Sequence, residues 1–454
     1  MKKFFMEVMC SILFSSKSIN NLGFVNEKIK YRGPDYTGEI KRSGYSFVHN
    51  LLSITGEFTK QPFEKNDIVC MFNGQIYNYN IFGDYKSDGE CLIPLYEKYG
   101  SEFVKQLDGE FAILLVDFRK DLLIASTDIF STKPLYMAVD DEKTFGFSSY
   151  ASPLQRLAFQ NIYKIPANKT YVFQLSKFEL KEEHSVYDFD LEQHKDFFDD
   201  WNVAFSNSIT KRATNIREHL YLGLSSGYDS GTIACELFKR KIPYKIYTVM
   251  GKENSEIVKQ RHDIIKEFAE VETLDIRFDR ERCKQYIHNN IDPFRFNIYT
   301  TDKSKYDRYF NADLHDDYGA IGLTYICERA KKDNRKIYLS GQGADEIFAD
   351  YGYNGQSKGK HSEFGGLFPT DLSTIFPWPN FFESSQEAFL VKEEYIAGAF
   401  GLETRYPFLD KDVVQEFLWL NCDLKNSYYK SVLHNYLYKN NFPFEMGVKR
   451  GFSV

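Results

Sequence analysis

Two apolar runs in the second half of the chain each stop at a cluster of small residues, and each is followed at once by an acidic residue and a helical pattern. The first is His219–Leu224, then Ser225, Ser226 and Gly227, then Asp229 and Ser230. The second is Ile337–Leu339, then Ser340, Gly341, Gln342 and Gly343, then Asp345 and Glu346. Such a run reads as a buried strand that turns sharply into a helix, because small side chains let the backbone bend and leave its N–H groups exposed. Around these turns the periodicity alternates. Helical spacing over Phe197–Ala213 and Asp229–Lys239 is interleaved with strand-like Lys245–Val249, and a helix over Ile257–Glu270 leads to a strand near Val271–Asp275. Strands alternating with helices of about 10–15 residues predict a parallel sheet with helices on both faces.

The first half reads differently. Short apolar runs at Ile68–Phe72, Phe111–Asp117, Leu122–Ser126 and Thr170–Phe173 are broken by turns, and one clear helix is predicted, Gly89–Tyr99, with Leu92, Leu95, Tyr96 and Tyr99 on its apolar side. That is an α+β pattern. Residues 177–200 are charged and weakly periodic, so the chain of 454 residues is divided there into domains over 1–185 and 195–454.

Composition removes several function classes. The chain has 57 basic and 64 acidic residues, a net charge of −7, with no basic stripe to meet a nucleic acid. Its seven cysteines lie far apart with no C-x-x-C, and no H-E-x-x-H occurs, so neither a disulfide framework nor a zinc site is expected. A reducing, cytoplasmic setting fits this, and no apolar run approaches the roughly 18 residues of a membrane span. Residues 4–14 are apolar behind Lys2 and Lys3, as in an export signal, but Glu7 interrupts them and they are read as leading into a first strand.

At a strand-to-helix turn, exposed N–H groups and the helix dipole make an anion site, and Asp229 beside it is placed to hold Mg²⁺ against a phosphate. A plain Ser-capped turn is the structural alternative. A second functional reading competes: Gly223–Gly227 matches G-x-S-x-G, the nucleophile elbow of serine hydrolases. The second loop favours the phosphate reading, since two such turns at the carboxyl ends of parallel strands can face one nucleotide, with Asp229 and Asp345 sharing a metal. Gly341-x-Gly343 has Glu346 where a dinucleotide loop has its third glycine, and Gly359-Lys360 is followed by His361 with Asn354 at the first glycine position of a Walker loop.

These loops resemble the pyrophosphate-loop and S-G-E-G-x-D-E motifs of glutamine-dependent asparagine synthetases. Met9-Cys10 looks like the start of the family's M-C-G-I, Arg32–Asp35 like R-G-P-D, Phe72–Asn78 like F-N-G-E-I-Y-N, and Ser87-Asp88 like its substrate-binding S/T-D. Gly401–Asp410 resembles G-x-E-x-R-x-P-F-L-D, and Lys449–Phe452 the late K-x-x-F. The resemblance implies an N-terminal-nucleophile glutaminase sandwich, the class II amidotransferase domain, followed by an α/β ATP pyrophosphatase domain. It implies that Cys10 attacks a glutamine amide with its own α-amine as base, and that Asn73 and Gly74 form the oxyanion hole. Glutamine would be bound by Arg32, Asn73, Gln75 and Asp88. ATP would be bound by Leu224, Ser225, Ser226, Gly227, Asp229, Ser230, Val249, Ser340 and Gly341, and Mg²⁺ by Asp229 and Asp345. Lys449 and Gln342 would be catalytic in the second domain, and Arg405 either takes part there or forms a buried structural ion pair. The implied cofactors are ATP and Mg²⁺, the partners glutamine or ammonia and a carboxylate acceptor, with room for a homodimer.

The chain also departs from the family's pattern. Nine residues precede Cys10, so its amine lies in a peptide bond unless translation starts at Met9 or a leader is removed. Leu51 stands where the family's H-x-R-L-S-I has the arginine that clamps the glutamine carboxylate, and Gln342 stands where the synthetase has a glutamate; an amide is no general base. The primary expectation is an ATP-dependent amidotransferase that adenylates aspartate or another carboxylate, such as a sugar uronic acid of surface-polysaccharide assembly. Alternatives are a synthetase with an inactive glutaminase that uses free ammonia or an intramolecular amine, as β-lactam synthetases do, and a nucleotide-binding pseudoenzyme.

Overall fold

The computed structural model describes residues 10–54, 57–141, 143–213, 219–277, 279–299 and 309–452; Met9 lies outside them. The chain forms two units. The first takes Met1–Asp188 with Asn290–Asp292 and Ala397–Glu403, and the second takes Phe189–Asn289, Pro293–Ile396 and Thr404–Val454.

The first unit is built on two six-stranded sheets. Period-two alternation explains why its central strands are apolar throughout. In Ile68–Ile76, the residues Ile68, Cys70 and Phe72 enter one core, and Val69 and Met71 enter another. Its antiparallel partner Gly109–Asp117 divides the same way, with Phe111, Ile113 and Leu115 on one side and Ala112, Leu114 and Val116 on the other. A sheet covered on both faces needs this. The core holding Val69 and Leu114 also takes Ile12, Phe14, Phe47 and Phe147 from the second sheet, so it is the filling of a sandwich. The opposite core takes Leu92, Leu95 and Tyr96 from the helix Leu92–Tyr99.

The second unit holds a five-stranded sheet ordered Ala269–Leu274, Tyr244–Val249, His219–Gly223, Arg335–Leu339, Glu403–Arg405. The pairings between the first four strands are parallel. His219–Gly223 has the next strand of the chain on one side and a strand more than a hundred residues later on the other, so the order reverses between it and Arg335–Leu339. Such a switch point opens a crevice at the carboxyl ends of the two strands. The helices Tyr228–Lys239 and Ala344–Phe348 leave from those ends. Gly343 has φ +94°, and a Cβ there would sit 2.3 Å from Leu409, so this turn requires glycine.

Two sequence expectations need correction. The helix expected over Ile257–Glu270 runs Ser255–Ile265, capped by the Asn254 side chain, and Glu270 belongs to the strand Ala269–Leu274. Apolar periodicity continued through Phe268, but parallel pairing with Tyr244–Val249 claims the chain from Ala269. The helix expected over Gly89–Tyr99 begins as a tighter 3₁₀ turn, Asp88–Cys91, and the first unit also contains a short helix, Ala151–Arg156. No helix among the described residues is long and apolar enough to cross a membrane.

Candidate functional site

The crevice of the second unit is a cleft of about 410 Å³, within the size range of small-molecule sites. Gly223, Ser225, Asp229 and Ser230 line it from the first loop, and Ser340, Gly341, Gln342, Asp345 and Glu346 from the second. The two aspartates converge on one cation. Lys430 Nζ lies 2.5 Å from Asp229 Oδ1 and 2.9 Å from Asp345 Oδ1. Asp345 Oδ1 also accepts from the Tyr429 hydroxyl at 3.0 Å, and its Oδ2 is 2.8 Å from Lys449 Nζ. Burial alone would raise the Asp345 carboxyl, but the Lys430 and Lys449 ammonium groups outweigh it and hold it well below the usual carboxylate range. Burial pushes the Asp229 carboxyl up, against the pull of Lys430, and the charge of Asp345 adds to the rise. Two hard carboxylates from different loops that close on one cation are a donor set suited to Mg²⁺, so these residues fit that ion.

Behind this pair lies a second acid. Glu346 Oε1 accepts from Gln342 Nε2 at 2.9 Å and from the Tyr351 hydroxyl. Burial first, then the neighbouring Asp345 charge, pushes its carboxyl up to about 7. The acid therefore keeps a proton in the folded state that it has lost when unfolded, across the window from the ordinary glutamate value to about 7. Its contribution to stability is complete at low pH and is lost as pH rises through that window. Glu346→Gln keeps the acceptor oxygen and removes the titration. Denaturant unfolding of the wild type should then lose up to about 3 kcal/mol more than the variant between about pH 4.5 and 7.5. Parallel pH curves for the two proteins would contradict this.

Several expected ATP residues do not line the cleft. Ser226 is held away from it, its N–H and hydroxyl both donating to Glu253 Oε2. Leu224 is buried and donates its N–H to Tyr247 O at 3.0 Å, and Val249 is buried at the end of its strand. The Gly227 N–H turns inward to Ser225 Oγ at 3.0 Å. None of these four is among the lining residues. Ser225 Oγ pairs with Ser230 Oγ at 2.9 Å, and no histidine among the described residues bonds it, so the hydrolase-elbow reading lacks its base. Arg405 is buried and donates to Arg212 O at 2.8 Å, while Arg212 and Lys211 each lie 2.6 Å from Asp410. The late G-x-E-x-R-x-P-F-L-D match thus carries a structural charge cluster at Asp410. Lys430 and Glu393 went unnoticed in the sequence. Glu393 accepts from the Ser340 hydroxyl at 2.6 Å, and burial pushes it up to about 7.

In the first unit a separate pocket is lined by Cys10, Leu51, Asn73, Gly74, Gln75 and Asp88, among others. Cys10 leads into the strand Ser11–Ser15, and its Sγ accepts from Leu52 N–H at 3.2 Å. Burial pushes the thiol up to about 12, more than the Leu52 N–H pulls it down, and the Glu403 and Asp88 charges add to the rise. Asn73 is buried at 2% exposure, and its Nδ2 has no hydrogen-bond partner among the described residues. A buried donor left open costs about 1–3 kcal/mol, which a ligand oxygen can recover. Gly74 has φ +137°, and a Cβ would lie 1.9 Å from Glu110 O, so the two strands close at this point only around glycine. Asp88 Oδ2 accepts from Gln75 Nε2 at 2.9 Å and Ile76 N at 2.8 Å. Arg32 is not on the pocket wall. Fully buried behind the nucleophile, it donates from Nε to Cys10 O at 3.1 Å and from Nη1 to Tyr150 Oη at 2.9 Å, so it positions Cys10 rather than meeting a ligand.

Comparison with known families matches residues 8–189 to the glutamine amidotransferase domain and residues 204–384 to asparagine synthase. A protein of Methanocaldococcus jannaschii named putative asparagine synthetase [glutamine-hydrolyzing] 1 is 28% identical over 418 residues, covering 84% of this chain and 70% of that one. A probable asparagine synthetase [glutamine-hydrolyzing] of Acanthamoeba polyphaga mimivirus is 26% identical, covering 93% of this chain and 79% of its own. The asparagine synthetase [glutamine-hydrolyzing] of Rattus norvegicus is 24% identical, covering 88% and 74%.

Proposed function

As a chain that joins a glutamine amidotransferase domain to an asparagine synthase domain, this protein belongs to the asparagine synthetase family, and from that premise we propose that its second unit adenylates a carboxylate with ATP while its first unit supplies the ammonia that turns it into an amide. The observation that carries this reading is the convergence of Asp229 and Asp345, from two strand-to-helix loops, on Lys430, with both aspartates and Lys449 on the wall of a cleft of about 410 Å³.

Carboxylates are poor electrophiles. An oxygen of the acceptor carboxylate attacks the α-phosphorus of ATP, the bond to the β-phosphate oxygen breaks, and pyrophosphate leaves. Ammonia then attacks the acyl carbon, the carbon–oxygen bond to AMP breaks, and one proton is given up as the amide forms. Asp229 and Asp345 would hold Mg²⁺, which when bound neutralises polyphosphate charge. The Lys449 ammonium on the cleft wall opposes the negative charge that builds on the phosphate oxygens, while Lys430, shared by Asp229 and Asp345, holds the two carboxylates in place before the reaction starts. Ser225, Ser230 and Ser340 offer hydroxyl groups at the loop ends. Gln342 moves no proton; its amide anchors Glu346.

In the first unit, Cys10 Sγ attacks an amide carbon, the carbon–nitrogen bond breaks and ammonia leaves carrying the thiol's proton, and water then cleaves the thioester to release the acid and restore the thiol. The open Asn73 Nδ2 and the Gly74 N–H receive the oxyanion, and Asp88 receives the ammonium of the amide donor.

The direct assay supplies ATP, Mg²⁺, aspartate and ammonium chloride, bypassing Cys10. Asparagine and AMP should appear in equal amounts. ATP binding without either product would move the acceptor away from aspartate, to sugar acids or to an amine within the acceptor itself. AMP without an amide would break the second step of the reading.

A further inference from the structure

A zwitterionic amide donor such as glutamine needs a cationic subsite as well as an anionic one, and the residue expected to clamp its carboxylate is Leu51, buried and apolar on the pocket wall. Charged residues on that wall are Glu57, Asp88 and Glu403 on the acidic side and, among the described residues, Lys133 alone on the basic side. Arg32, the other cation close to Cys10, is committed to Cys10 O and Tyr150 Oη behind the pocket.

Lys133 is built into the site. It is 1% exposed and lies on the same pocket wall as Cys10 and Asp88. Its Nζ is 3.8 Å from Glu110 Oε2, beyond hydrogen-bond reach, so the attraction between them is Coulombic. Glu110 is the register partner of Gln75 across the antiparallel pair Ile68–Ile76 and Gly109–Asp117, and directly opposed residues share one face of a sheet. Gln75 Nε2 in turn donates to Asp88 Oδ2. One pair of cross-strand neighbours therefore carries the carboxylate of Asp88 on one arm and the ammonium of Lys133 on the other. A carboxylate entering without a cation would lose its water and face the like charges of Asp88 and Glu403.

We propose that Lys133 is the residue that receives the α-carboxylate of the amide donor in this chain, with Asp88 receiving its ammonium group, so that the cation absent at position 51 is supplied from the Gly109–Asp117 side of the pocket. This rests on reading the Cys10 pocket as an amide-donor site. The test is calorimetric titration of the full chain with L-glutamine and with L-glutaminamide, which has a neutral carboxamide in place of the α-carboxylate. The wild type should bind glutamine at least tenfold more tightly. In Lys133→Met, glutamine should weaken at least tenfold while glutaminamide changes less than threefold. Lys133→Met with Glu110→Gln removes the buried carboxylate that the single change strands, and should show the same selective loss if the single variant does not fold. Leu51→Arg added to Lys133→Met should restore glutamine. Equal weakening of both ligands, or unchanged glutamine binding, would overturn the role of Lys133 and leave the amide site standing. Failure of the folded wild type to bind either ligand would overturn the amide-site reading, and the Lys133 role with it.

Discussion

Replacing Asp345 by Asn should lower ATP-dependent AMP formation by at least about 10³-fold, and Asp229→Asn should follow it closely. The reason is how many groups depend on one carboxylate. Asp345 takes Lys430 and Tyr429 on Oδ1 and Lys449 on Oδ2, while Asp229 takes Lys430 on Oδ1. Two carboxylates face two ammonium groups, and their charges balance. In Asp345→Asn the balance becomes one against two. The phosphates then meet ammonium groups no longer held in place, and the Mg²⁺ donor pair is broken. Removing one partner from a buried ion pair also costs about 3–5 kcal/mol of stability, so AMP formation must be read beside a melting curve. A folded variant that makes no AMP is the expected outcome. Near-normal turnover in either variant would remove the two-loop site from the mechanism. Lys430→Met separates the roles further: it leaves both carboxylates in place, so Mg²⁺ should still be needed while the rate falls.

What could be read from the sequence follows from the reach of the signal. Asp229 and Asp345 were legible because each stands a few residues beyond an apolar strand and a small-residue turn, and turn chemistry is local. Lys430 was not. It lies 201 residues from Asp229 in sequence, between Tyr429 and Ser431, with no motif around it. It reaches the aspartates because it starts the helix Ser431–Lys439 in a left-handed conformation, φ 50°, and is almost fully buried there. Position 51 shows the same asymmetry. The missing arginine is visible in one line of sequence, whereas Lys133 becomes a candidate only once strand register sets Glu110 opposite Gln75. In the fold, the apolar runs Ile68–Phe72 and Phe111–Asp117 marked the strands Ile68–Ile76 and Gly109–Asp117, each falling short at one end. The helix Ala151–Arg156 was missed because six residues with Pro153 in the first turn hold too little periodicity to register.

A chain that begins at Met9, and so exposes the amine of Cys10 once the methionine is removed, should hydrolyse glutamine about 10²–10⁴-fold faster than the full chain. The thiol explains why. Burial pushes Cys10 up to about 12, so the thiol is held protonated at neutral pH. The Leu52 N–H and the Arg32 charge pull the thiol down, but not enough to offset burial, and Glu403 and Asp88 both favour the protonated thiol. Catalysis then needs a base within reach of Sγ, and an α-amine with an ordinary value near 8 can serve at neutral pH. In the full chain that nitrogen is an amide and takes no proton. Arg32 should matter in both proteins, because its bond to Cys10 O fixes the backbone from which Sγ and the freed amine project. Arg32→Lys, which cannot reach Cys10 O and Tyr150 Oη as one planar fork, should lower the rate of the shortened chain with little change in glutamine KM. Equal glutaminase rates in the two chains, with mass spectrometry showing the full chain unprocessed, would mean that another group takes the proton from Cys10.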